Sequence, residues 1–118
     1  MAAVSSEAMQ TLEDLYDSTN GDQWDTTALA QNLAQLGKTA AWDFSKDASG
    51  DYVKLDEVCG SWMGLYCAGS VTENGVVVDA ITHIVMNGGN LQGALPASIS
   101  KLTYITWLRL YSNSLTGT

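Results

Sequence analysis

Apolar residues first fall in a helical rhythm. In "SSEAMQTLEDLYDSTNG" the residues Ala8, Met9, Leu12, Leu15 and Tyr16 share one face of a 3.6-residue period. Ser5 or Ser6 can cap this helix, Glu7 suits its first turn, and Asn20-Gly21 supplies a left-handed stop. A second helix is predicted in "TTALAQNLAQLG", where Leu29, Leu33 and Leu36 recur at i, i+4 and i+7. Thr26 or Thr27 caps it and Gly37 ends it. The stretch "KTAAWDFSKDASGDYVKLDE" keeps neither period and reads mostly as loop, anchored by Trp42, Phe44 and Tyr52. Strand signals follow. Leu65–Cys67 and Val76–Val78 flank "ENG", a hairpin-type turn, and a further strand is predicted over roughly His83–Asn87. Its counterpart is Trp107–Tyr111.

That counterpart belongs to a repeat. Leu91–Gly93 returns as Leu115–Gly117 after 24 residues, and Ile81/Ile105, Ile84/Leu108 and Met86/Leu110 keep the same offset while the residues between them do not. One register shared by apolar and glycine positions is the mark of a structural unit used twice. The pattern I-x-x-I-x-M, then I-x-x-L-x-L-x-x-N-x-L-x-G, resembles a leucine-rich repeat, and "GALPASISKLTYI" resembles the linker of the plant-type subclass. "LEDLYDSTNGDQW" resembles the opening of the N-terminal cap of such proteins, and "CGSWMGLYC" resembles its C-x-x-W-x-G-[VL]-x-C signature. Together these cover residues 7–24 and 59–118. The fold this implies is an α/β solenoid. Residues 1–80 would form a helical, disulfide-stapled capping region with two helices, a long loop and a β-hairpin. Residues 81–118 would hold about one and a half repeats, truncated or covered by a partner.

The resemblance assigns roles to particular residues. Ile84, Met86, Leu108 and Leu110 point inward, and Leu91/Leu115 with Ile99/Leu102 fill the convex side. Asn113 would turn inward to bond backbone amides. The matching position in the first repeat is Gly89, beside Asn90 and near Asn87, so that turn is looser or satisfied in another way. A disulfide between Cys59 and Cys67 is implied, with Trp62 packed beside it and Gly64 a structural position. Because strand side chains alternate, His83, Val85 and Asn87 and, one repeat later, Trp107, Arg109 and Tyr111 fall on the concave face. Trp, Arg and Tyr are residue types enriched at binding hot spots. Proteins of this resemblance commonly bind partners there; the competing account is that these are incidental β-formers or lie under the long loop.

Composition changes this picture little, and charge only locally. Apolar residues make up 46% of 118 residues, enough for one modest core. Net charge is −8, and residues 1–80 hold all 13 carboxylates, whereas residues 81–118 carry only Lys101 and Arg109. Such a chain is repelled by nucleic acid and anionic membranes. No run of 18 apolar residues and no signal-peptide pattern occurs in this numbering.

Catalysis and metal binding find little footing. Seven residues separate the cysteines, unlike a redox C-x-x-C, and His83 as the only histidine cannot complete a zinc set. The implied disulfide favours an oxidising compartment, secreted or lumenal, although no N-x-[ST] sequon marks that route. Asp14, Asp17, Asp22 and Asp25, and "SKDASGDYVKLD", lack an EF-hand loop, since Ser45 and Asp56 stand at its first and twelfth places. "NGGN" has no P-loop lysine, and no G-x-S-x-G elbow exists. The expectation is a non-catalytic, cofactor-free module that recognises a protein partner, or a peptide or glycan. The alternative is a small structural subunit docked permanently in a larger assembly.

Overall fold

The computed structural model describes residues 3–33, 40, 42–73, 75–86, 88–109 and 114–116. Helix α1, Ser6–Ser18, starts where Ser5 adopts an extended backbone and its Oγ accepts the Ala8 N–H at 3.1 Å. It ends at Thr19, followed by left-handed Asn20 at φ 61°. Met9, Leu12 and Leu15 are buried as the periodicity predicts, with Ala8 and Tyr16 packed at the margin. Thr11 is buried as well, its hydroxyl donating to the Glu7 carbonyl within the helix.

After a 3₁₀ turn at Gly21–Gln23 comes α2, Thr26–Leu33. Its cap is Asp25 rather than Thr26 or Thr27: Asp25 Oδ1 accepts the Ala28 N–H at 2.9 Å. A carboxylate at this position both satisfies an open donor and meets the positive end of the helix. Leu36 and Gly37 lie outside the described residues.

Residues 42–57 are mostly loop, as read, with isolated bridges between Ala40 and Trp62 and between Lys46 and Tyr52. Aromatic rings hold it. Trp42 lies 5.0 Å from Trp24 and stacks on Trp62 at 6.1 Å, Phe44 meets Trp62 edge-on at 5.4 Å, and Tyr16 closes on Trp24 at 5.0 Å. Both outer indoles have acceptors: Trp42 Nε1 donates to Met63 O at 2.8 Å and Trp24 Nε1 to Thr19 O at 3.2 Å. Aromatic burial with satisfied N–H groups gives an irregular segment the packing it lacks in backbone ladders. Tyr52 closes the outside, donating its hydroxyl to Glu13 Oε1 at 2.7 Å; burial first, then this carboxylate, raises its pKa above the ordinary tyrosine value.

A short helix the periodicity did not announce, α3 at Val58–Ser61, carries Cys59 to its disulfide with Cys67. Breaking this bridge, by a Cys59→Ala/Cys67→Ala variant or by reductant, is expected to cost about 2–3 kcal/mol from loop-closure entropy. Urea unfolding with and without reductant measures it. No change would mean that the surrounding aromatic packing alone fixes the loop.

Strands β1, Leu65–Glu73, and β2, Val76–Val85, form an antiparallel hairpin. Here the sequence reading needs correcting. The hairpin arm at Val76–Val78 and the strand expected from His83 are a single strand, running through residues 80 and 81. The strand continues through polar Asp79 and Thr82. The Asp79 N–H donates to Ala3 O at 2.9 Å, and Thr82 Oγ1 bonds Tyr66 O at 3.3 Å beside a bulge in the register.

Then come β3 at Gln92–Ala94, a 3₁₀ segment at Ala97–Lys101, β4 at Trp107–Arg109 and β5 at Ser114–Thr116. β4 pairs in parallel with β2, His83 opposite Trp107 and Val85 opposite Arg109, which is the 24-residue offset of the sequence. β5 pairs with β3 two residues off that register, with Gly93 rather than Leu91 opposite Leu115. A slip of two keeps each residue on the same face. One core runs from α1 through Trp62, Leu65, Ile84 and Met86 to Leu91 and Leu102.

Candidate interaction face

The three-stranded sheet has the order β1-β2-β4. Directly opposed residues of neighbouring strands share a face, so the register sorts the sheet into rows. Leu65, Ile84 and Leu108 form one row; Leu65 and Ile84 are completely buried, so this row faces the core. On β1 and β2 the adjacent rows face away from it: one contains Tyr66 and His83, the other Val85. Trp107 and Arg109 hold the register positions opposite His83 and Val85 on β4. His83 and Val85 are half-buried. The rings of Tyr66 and His83 lie 6.2 Å apart in a T-shaped arrangement, and 2.7 Å separates Thr82 Oγ1 from His83 Nδ1. Burial raises the pKa of Tyr66, so its phenol stays neutral at any ordinary pH.

Four residues singled out from sequence, His83, Val85, Trp107 and Arg109, are thus neighbours across one strand pair. Asn87, Tyr111 and Asn113 lie outside the described residues. Tyr66 was missed, although a signal for it exists: Glu73 and Val76 close the hairpin, and counting back along both arms brings Tyr66 opposite His83.

The start of β1 is set by Gly64 at φ 79°. Its carbonyl accepts the Val85 N–H at 2.8 Å, which ties β2 to the disulfide-closed segment. Trp62, between the cysteines, is 1% exposed.

The turn after β2 resolves the missing asparagine. Gly89 O accepts the Asp25 N–H at 2.7 Å, and the space a side chain would take is filled by Leu29. Asn90 turns outward, its Nδ2 donating to Gln23 O at 3.0 Å. The N-terminal helices therefore satisfy this turn from outside, where an inward asparagine would do so from within.

On the far side, Leu108 is 41% exposed although its row faces the core. Only β2 flanks β4 among the described residues, so half of that layer is uncovered.

Parallel strands one repeat apart, a hairpin joined to the first of them and helices docked on the intervening turn define a fold of leucine-rich repeat type. The solved structures it matches include the leucine-rich repeat ectodomain of the receptor kinase SOBIR1 from Arabidopsis thaliana. The TM-score is 0.56 at 14% identity over 98% of this chain and 45% of that one. A leucine-rich repeat protein from Bacteroides eggerthii matches with a TM-score of 0.52, at 23% identity over 89% of this chain and 13% of that one. The chain spans less than half the length of either. No family model and no curated protein matches the sequence. Among the described residues, no helix is long and apolar enough to cross a membrane.

Proposed function

We propose that this chain is a non-catalytic recognition module: a plant-type N-terminal capping region, residues 1–80, followed by the first leucine-rich repeats, residues 81–118. It binds a protein partner, or a peptide or glycan displayed by one, through the face that carries Tyr66, His83, Val85, Trp107 and Arg109. The observation that supports this most directly is the register row Tyr66–His83–Trp107: His83 pairs with Tyr66 on one strand and with Trp107 on the other, and the Tyr66 and His83 rings meet at 6.2 Å. Arg109 is two residues along β4 from Trp107, and residues 81–118 carry Lys101 and Arg109 with no carboxylate. Aromatic and Arg anchors are the groups that carry most binding energy at protein interfaces. The disulfide favours an oxidising compartment, secreted or lumenal.

The test is a binding partner selected against the intact protein, then titrated against variants. Trp107→Ala/Arg109→Ala is expected to weaken binding at least tenfold with an unchanged melting temperature, and Val53→Ala, on the exposed loop, to leave it unchanged. Equal affinity for all three proteins would sink the proposal.

A second reading has one observation in its favour. Leu108, exposed in a core-facing row, suits a structural subunit whose open side is permanently covered by further repeats or another chain. In that case the isolated chain self-associates or binds an apolar dye strongly.

A further inference from the structure

The outer half of β2 carries a second surface, independent of the concave face. Glu73 and Val76 close a two-residue hairpin, so Val76 and Val78 direct their N–H and C=O groups toward β1. Val77 and Asp79, one step out of phase, direct theirs to the opposite edge. Asp79 demonstrates this orientation, since its N–H donates to Ala3 O at 2.9 Å. A main-chain carbonyl of another segment therefore already reaches this edge. Val77 is the next position outward, and β4 joins β2 only from His83 onward. Among the described residues no strand is paired with Val77 on this side.

The side chains around this edge are apolar and open. Val76 is 60% and Val77 58% exposed, unusual for valines in regular strand. They border a groove of about 440 Å³ whose walls include Val4, Leu55 and Val78. Neither lysine nor arginine lines it, and Glu7 stands on its rim. An edge with an outward N–H and C=O, apolar seats beside it and a carboxylate above is complementary to one kind of occupant. Strand addition supplies main-chain bonds, and alternate side chains enter the groove. The residues between them point outward, where a body holding all 13 carboxylates favours cations.

We propose that the Val77 edge of β2 is a docking site for an extended segment of a partner protein in which apolar residues alternate with Lys or Arg. The segment pairs its backbone with Val77 and seats its apolar side chains in the groove that the exposed valines and Leu55 border.

The probe is a terminally blocked heptapeptide of alternating Lys and Val, added to the isotopically labelled full chain. Hydrogen exchange at the Val77 amide is expected to slow at least tenfold on saturation. An analogue N-methylated at the central Val, which removes a main-chain donor but leaves the side chains, is expected to bind at least tenfold more weakly. Val77→Pro should abolish peptide binding, read from chemical-shift changes at the neighbouring amides, and Val77→Thr preserve it. Trp107→Ala should leave it intact, which separates this surface from the concave face. The proposal is overturned if the peptide does not bind, if it binds without protecting Val77, or if the N-methylated analogue binds equally. It is also overturned if Val77 is as protected in the free chain, or if protection follows protein rather than peptide concentration, which would mean that two copies pair through this edge.

Discussion

Trp62→Ala is expected to lower the unfolding free energy by about 3–5 kcal/mol, the range for truncating a fully buried aromatic side chain. The expectation rests on position as well as size. Trp62 is 1% exposed, stacked on Trp42 and met edge-on by Phe44. Trp42 in turn touches Trp24, which touches Tyr16 of α1, so one chain of rings connects the disulfide loop, the irregular segment, the 3₁₀ turn and α1. Neighbours on separate loops cannot collapse onto the cavity without giving up fixed hydrogen bonds, such as that from Trp42 Nε1 to Met63 O. Marginal domains hold only about 5–15 kcal/mol in total, so the loss is a large share of it. Chemical denaturation followed by far-ultraviolet circular dichroism measures it. A cost below about 1 kcal/mol would mean that the aromatic cluster is loosely packed and that the loop is fixed otherwise. Trp62→Phe, which keeps a ring in the site, should recover part of the loss.

Much of this architecture was legible because period and punctuation agreed. Met9, Leu12 and Leu15 share a helical face bounded by a serine cap and Asn20-Gly21, and no competing reading of that stretch exists. The 24-residue offset fixed which strands would be neighbours, and the pairing of His83 with Trp107 and Val85 with Arg109 follows it. What was not legible depended on tertiary contact. Thr26 and Thr27 are good caps by type, yet Asp25 holds the position, because its own N–H is drawn to Gly89 O across the fold. β2 was read as two strands although it runs through Asp79 and Thr82; the Thr82 hydroxyl is taken up by Tyr66 O, and the Asp79 N–H by Ala3 O, contacts that only the fold provides. The unusual Gly89 was visible as a departure, but its reason, the close approach of Leu29, was not. Of the interaction face, the β2 and β4 contributions came from alternation alone. Tyr66 required the hairpin register, and that is readable only once the turn is taken as closing at Glu73 and Val76.

The same register gives Gly64 a role in how β1 meets β2. Gly64→Ala is expected to cost about 2–4 kcal/mol, combining a left-handed backbone that an L side chain rarely adopts with a collision. A Cβ at Gly64 would stand 2.5 Å from the carbonyl oxygen of Val85 and 2.4 Å from Met86 Sδ. The methionine can swing away; the backbone oxygen cannot move without shifting β2. Gly50→Ala separates the two contributions. Gly50 has nearly the same dihedral, φ 83° against 79°, but nothing within 4 Å of its hypothetical Cβ, so it should lose only about 1–2 kcal/mol. The excess at Gly64 is then the cost of displacing Val85, whose N–H bonds the Gly64 carbonyl. Val85 shares a strand with His83, and both pair with β4, so the displacement reaches the proposed binding face. Partner affinity should therefore fall in Gly64→Ala at temperatures where the protein is still folded, and remain at the wild-type level in Gly50→Ala. Equal stability losses in the two variants would show that β2 yields freely at Val85. Wild-type affinity in a folded Gly64→Ala variant would show that the face does not depend on how β1 begins.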